Sequence, residues 1–220
     1  MPGIRRIDGE FSDQALVEAI HDNYPVLHLA THFHFAPGGT DRDSFLLLGG
    51  SQKLTLEDFE VGNNYEMKQV DLLTLSACDT ALGEVKANGN EVEGLAALVQ
   101  QHGAKAVLAT LWSVVDGTTG PFMATFYEDR QQHQLTKAEA LRQTQVAFIH
   151  GTVDAPGLPL LVSQGQGAKA KSSATKQTVA PNGSAVRIDA PSVAVYQPDP
   201  KAPFAHPFYW APFILMGNWL

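Results

Sequence analysis

An α/β fold, with a mostly parallel central sheet and helices on both faces, is what this sequence predicts, and three observations predict it. Apolar runs of strand length alternate with longer helix-patterned stretches through most of the 220 residues, the order that builds a parallel sheet covered on both sides. The run Val70-Asp71-Leu72-Leu73-Thr74-Leu75 is short and nearly continuous in apolar and branched residues, as a strand buried on both faces requires. With 44% hydrophobic and 17% charged residues, a chain of this length closes one core without metal or disulfide staples. Residues 1–220 are therefore read as one domain.

The elements follow in order. Residues 11–20 place Ala15, Leu16, Ala19 and Ile20 at helical spacing behind Ser12 or Asp13 as N-cap. Residues 25–30 (PVLHLA) read as a buried strand. Two short runs, 45–48 and 52–54, flank Gly49-Gly50-Ser51 in the form of a hairpin, and residues 55–61 begin a short helix. The strand at 70–75 is expected at the sheet centre. A helix at 92–101, a strand at 106–110 and a helix at 117–130 capped by Asp116 come next. Thr136-Lys137-Ala138-Glu139 is a capping-box sequence, in which hydroxyl and carboxylate reciprocally satisfy free amides of the first turn, and its helix runs to 149. Residues 164–203 are small, polar and basic, with too little apolar surface to offset the entropy of ordering them. They read as a flexible insertion with a short strand at 185–189. The aromatic run 206–217 returns to the core, with a last strand at 213–216.

Charge narrows the partners. The net charge is −8, and residues 1–164 hold ten Lys/Arg against twenty-one Asp/Glu. An acidic surface of this kind repels phosphate backbones and anionic lipid, which excludes nucleic acid and membrane as direct partners. No run nears the roughly 18 apolar residues of a membrane span, and the N-terminus lacks an export-signal pattern, so a cytoplasmic protein is expected. The single cysteine, Cys78, excludes an intrachain disulfide and any zinc site built on paired cysteines. His28, His32 and His34 form no complete ligand set and no HExxH pattern. Neither metal nor cofactor is expected.

In parallel sheets, chemistry gathers where strands end. The strand at 25–30 exits through Ala30-Thr31-His32, and the strand at 70–75 exits through Ser76-Ala77-Cys78. If the two strands are neighbours, imidazole and thiol meet. Only the thiolate of a thiol with an ordinary pKa of about 8.5 attacks well, so a nucleophilic cysteine needs a base beside it. His32 is placed for that, with His34 as the alternative base. The competing reading is a buried structural cysteine, since free cysteine is among the most buried residue types. Trp112, Trp210 and Trp219 are assigned to packing, and Gly38-Gly39 to a turn rather than a phosphate cradle.

The stretches HLATHFHF, SFLLLGG, LTLSACDTALG, GLAALVQQHGAKAVLATLWSVVD, FYEDR, ALRQTQ and HPFYWAPFILMGNW together resemble the CHAT family of caspase-like domains, from about Gly3 to Trp219. The resemblance implies a three-layer caspase-like sandwich and a cysteine peptidase of caspase and separase type, with His32 and Cys78 as its dyad. It assigns the oxyanion to the backbone amides of Phe33 and Cys78. Where the wider group has glycine after the histidine this chain has Phe33, whose larger side chain would narrow the cleft or restrict the loop. Trp112 to Asp116 looks like the separase segment whose acid lies near the pocket for a basic residue, so Asp116 either accepts Arg or Lys or caps its helix. Asp79 likewise meets substrate or caps the turn after Cys78. The resemblance further implies a protein or peptide substrate, a place in a longer chain behind tetratricopeptide repeats, and control by those repeats or by a regulatory protein. The alternative is an inactive caspase-like module for signalling or protein interaction.

Overall fold

Side chains alternate across the strands and so divide the core between two faces of one sheet. The computed structural model of the chain describes residues 3–34, 36, 40–62, 64–78, 90–112, 114, 116–153 and 199–220. Its strands are β1 (Val26–His34), β2 (Phe45–Leu47), β3 (Lys53–Thr55), β4 (Leu72–Cys78), β5 (Ala106–Thr110) and β6 (Phe213–Gly217). They form one six-stranded sheet in the order β3-β2-β1-β4-β5-β6. β1, β4 and β5 pair in parallel, β2 and β6 pair antiparallel to their neighbours, and β3 is antiparallel to β2. Four strands therefore run one way and two run against them, with β4 near the centre as expected.

On one face, Leu73, Leu75, Val107 and Ala109 pack with α1 (Asp13–His21), α2 (Leu56–Val61) and α3 (Asn90–Gln101). On the other, Leu72, Ala106, Leu108 and Phe213 pack with α4 (Asp116–Gln132) and α5 (Lys137–His150). Phe122 of α4 stacks on Phe213 at 3.7 Å between ring centres. The result is a three-layer sandwich. Among the described residues no helix is long and apolar enough to cross a membrane.

Helix starts follow their local chemistry, with one exception. Ser12 caps α1 by accepting from the Ala15 amide at 3.2 Å, and Thr55 and Asp58 form a full capping box at α2. The box predicted at Thr136 is only half made. Thr136 Oγ1 accepts from the Glu139 amide, but the Glu139 carboxylate accepts from Arg142 and Gln143 instead, because both lie one turn along the same exposed face.

Two further expectations are corrected. β1 is not buried on both faces: Leu27, Leu29 and Phe33 point into the core, while His28, Ala30 and His32 are exposed. Among the described residues the helices of the second layer pack chiefly over β4, β5 and β6 and cover this side of β1 only in part, at Val26 and, through Tyr127 of α4, at His28. Trp219, expected in packing, is 63% exposed, whereas Trp112 and Trp210 are half-buried with their indole N–H groups donating to Phe208 O and Ala205 O. The predicted insertion and its strand at 185–189 lie outside the described residues, apart from 199–203, where an Asp199 to Ala202 bridge closes a turn.

At the end of the sheet away from the strand carboxyl ends sits an ionic clasp. Lys137, with a side chain only 2% exposed, donates to both Asp71 oxygens at 2.9 and 3.1 Å and to Leu220 O at 2.6 Å. Arg130 donates to Asp71 at 3.1 Å. Burial works to raise the Asp71 pKa, but the hydrogen bonds and charges of Lys137 and Arg130 outweigh it and hold the carboxyl below its ordinary value. That contribution to stability is present above the unfolded carboxyl pKa, about 3.9, and is lost as pH falls through the depressed folded value. Asp71→Ala leaves a buried cation unpaired and is expected to cost about 3–5 kcal/mol in urea unfolding; Asp71→Asn is expected to flatten the acid limb of the stability curve. A loss under about 1 kcal/mol would assign the clasp no weight.

Candidate active site

The condition set by the sequence is met at the backbone, since β1 and β4 are adjacent and parallel. Val26 pairs with Leu72 and the register holds through Ala30 and Ser76; it then slips, and Phe33 pairs with Cys78. Three steps along β1 match two along β4, so β1 carries one extra residue at Thr31 or His32. Such a bulge bends the strand and re-aims a side chain. His32 therefore belongs to an irregularity inside β1 and not to a loop beyond its end. It is exposed.

β1 runs to His34 because the β2–β3 hairpin pairs with its last two residues, Phe33 with Leu46 and His34 with Phe45. Cys78 is correspondingly the last residue of β4. Adjacent strands lie about 4.8 Å apart, which brings the backbone carrying His32 and Phe33 beside that of Cys78. The side chains of Cys78 and Asp116, and all of Asp79, lie outside the described residues. Asp116 is the first residue of α4, one position inside the cap predicted for it. α4 follows β5, which is parallel to β4, so Asp116 begins its helix at the same end of the sheet.

Phe33 departs from its predicted part in the cleft. Its side chain is 5% exposed and belongs to the core cluster with Leu29, Leu46 and Leu75, so it fills the layer beneath β1 and does not narrow a cleft. It also has a strand neighbour on either side, Leu46 and Cys78. His34, the alternative base, is half-buried with its ring against Phe45 at 4.9 Å. Among the described residues no group of three His, Cys, Asp or Glu side chains converges as a metal site.

A polar network beside the site was missed in the sequence. His28 Nε2 and Ser76 Oγ are 3.0 Å apart, and Thr74 Oγ1 and Tyr127 OH are 2.8 Å apart. The Tyr127 ring lies 5.8 Å from that of His28. Strand alternation places His28, Thr74 and Ser76 on one face, but Tyr127 arrives from α4, which no local pattern announces. Burial among these groups lowers the His28 pKa below its ordinary 6.5, although one edge of the ring stays open to solvent. Burial likewise raises the Tyr127 pKa, against the Thr74 hydrogen bond and the Arg130 charge. Both groups are neutral at pH 7.

Comparison with family models matches residues 3–218 to one family, described as the CHAT domain. No curated protein matches the chain.

The His28 shift gives a measurable sign. A histidine with a depressed folded pKa contributes stability that is present above the unfolded pKa of about 6.5 and is lost as pH falls from there toward the folded midpoint. NMR titration is expected to place the His28 midpoint below 6.5, and Ser76→Ala to move it. His28→Gln is expected to remove part of the stability loss below pH 6.5. A His28 midpoint at or above 6.5 contradicts the assignment.

Proposed function

We propose, on the premise that this chain belongs to the CHAT domain family, that it is a cysteine endopeptidase of caspase and separase type. The family is caspase-like and peptidase-like, and the observation that carries the finer reading is the parallel pairing of β1 with β4, with Phe33 opposite Cys78. It supports a dyad drawn from two separate segments, with the exposed His32 as base and Cys78 as nucleophile.

In this reading His32 takes the Cys78 proton, and the thiolate attacks the scissile carbonyl carbon to form a C–S bond. The oxyanion receives backbone amides at the ends of β1 and β4, those of Phe33 and Cys78. The tetrahedral centre collapses, the C–N bond breaks, and the His32 imidazolium gives its proton to the leaving amine. Water then attacks the thioester with His32 as base. The new carboxylic acid leaves, and the proton returns to the Cys78 sulfur. Asp116 is assigned to a basic residue before the scissile bond and Asp79 to contact with substrate, and control falls to a regulatory protein or upstream tetratricopeptide repeats.

A second reading, an inactive protein-interaction module, is favoured by one observation. Phe33 lies between strand neighbours Leu46 and Cys78, and an amide drawn into a ladder is not free to receive an oxyanion.

The two separate in one assay of the full-length protein, with a peptide library and a thiol-directed electrophile. The peptidase reading expects Cys78→Ala to abolish cleavage and labelling, and His32→Ala to slow cleavage by at least about 100-fold. Asp116→Asn is expected to reduce selectivity for Arg and Lys. Cleavage that survives Cys78→Ala ends the peptidase reading.

A further inference from the structure

β1 is an inner strand along only part of its length. β2 pairs with Phe33 and His34 alone, the Leu47 carbonyl accepts from the Thr31 hydroxyl, and the chain then turns at Gly49–Ser51. Among the described residues no strand pairs with Val26 to Ala30 of β1 on the side away from β4. The Leu72 amide donates to Pro25 O at 3.1 Å, and this sets the phase of the parallel ladder. Leu27 and Leu29 turn their peptide groups toward β4, while Val26, His28 and Ala30 turn theirs outward. Among the described residues no backbone group bonds to these three on that side, and His28 and Ala30 are exposed. A row of free N–H and C=O groups is a template for an added strand.

This edge lies in a notch. Gly3, Ile4 and Arg6 of the N-terminal segment line it together with Glu18 and Asp22, and the cavity along Val26 to Leu29 holds about 180 Å³. The chain just past this segment is fixed in the fold: the Gly49 amide donates to Phe11 O at 2.7 Å, and a Cβ on Gly49 would lie 1.7 Å from Asp8 O. Five residues of open edge span about 13 Å, and β2 closes the far end. A second copy would bring its own β2 and N-terminal segment against these, so the notch suits a single strand and not another sheet. Its occupant is also marked by charge. Glu18 and Asp22 are both exposed, they share the lining with one Arg6, and the chain as a whole carries −8. Ile4, 60% exposed, offers apolar contact beside them.

We propose that the open edge of β1 from Val26 to Ala30 is a docking site for an extended basic segment of a partner protein, which adds there as a strand. The docked segment ends about two residues, or roughly 7 Å, short of His32, so it lies beside the candidate active site. The docking itself does not depend on the peptidase reading.

Amide hydrogen exchange of the full chain, followed by NMR, tests this with three ten-residue probes: an alternating Lys-Val peptide, its Glu-Val counterpart, and the Lys-Val peptide N-methylated at alternate residues. In the free protein the amides of Val26, His28 and Ala30 are expected to exchange faster than those of Leu27 and Leu29. The Lys-Val peptide is expected to slow them at least about tenfold, and the other two peptides to leave them unchanged. Ala30→Pro removes an outward amide without touching the β4 ladder, so it is expected to keep the fold and lose the protection. Reversing Glu18 and Asp22 to Lys is expected to weaken binding about tenfold at low salt and less at high salt. Three results overturn the proposal: amides already protected in the dilute free protein, meaning that another part of the chain covers them; protection that rises with protein concentration alone, meaning a second copy does; or protection by Lys-Val that is absent, or equalled by Glu-Val.

Discussion

The parallel pairing of β1 with β4 is the constraint on which the rest of the molecule depends. It joins segments more than forty residues apart, places Leu27, Leu29, Leu73 and Leu75 in one core cluster, and sets which peptide groups of β1 face inward. Its slip between Ala30 and Phe33 determines where His32 sits. A regular ladder would continue the strict alternation of Leu27 to Ala30, whereas one extra residue on β1 changes the strand's direction where chemistry is expected. The same strand that carries the candidate base therefore has a regular half, a bulge, and a last turn of pairing with the hairpin.

Two polar clusters along β4 are held by different physics. At one end Lys137 and Arg130 converge on Asp71 and tie the start of β4 to α4 and α5. Such a buried cluster orders its neighbours through direction and charge, and is costly to leave half-made. A few residues further along β4 the groups are neutral: His28 with Ser76, and Thr74 with Tyr127. Neutral hydrogen bonds need less compensation than charges, so this stretch tolerates partial solvent access. A rigid base beneath an accessible rim is the arrangement by which a sheet presents functional residues.

Much of the fold was legible because local physics and packing agree. Ala106–Thr110 was read as a strand and is one, fully buried. Ser12 or Asp13 was read as the N-cap of a helix, and it is the Ser12 hydroxyl that accepts from Ala15. The failures are equally specific. His32 was placed after its strand, because neither the bulge nor the β2 pairing that prolongs β1 leaves a mark on hydrophobic periodicity. Glu139 was given to a capping box, but Arg142 and Gln143 compete for the same oxygens from one turn away. The Phe33 side chain was expected to narrow the cleft or restrict its loop, and it lies in the core.

The sequence by itself determined the alternation of strands and helices, the single cysteine, the acidic composition and the family, because these reside in composition, spacing and linear motif. Only the tertiary structure decided that β1 and β4 are neighbours, that their register slips by one residue before Cys78, that Tyr127 bonds to Thr74, and that among the described residues Val26 to Ala30 pair with β4 on one side and with no strand on the other. The reason is that strand order and register are set by which apolar faces bury each other across the whole chain. A long-range pairing of this kind has no local energy from which it could be read.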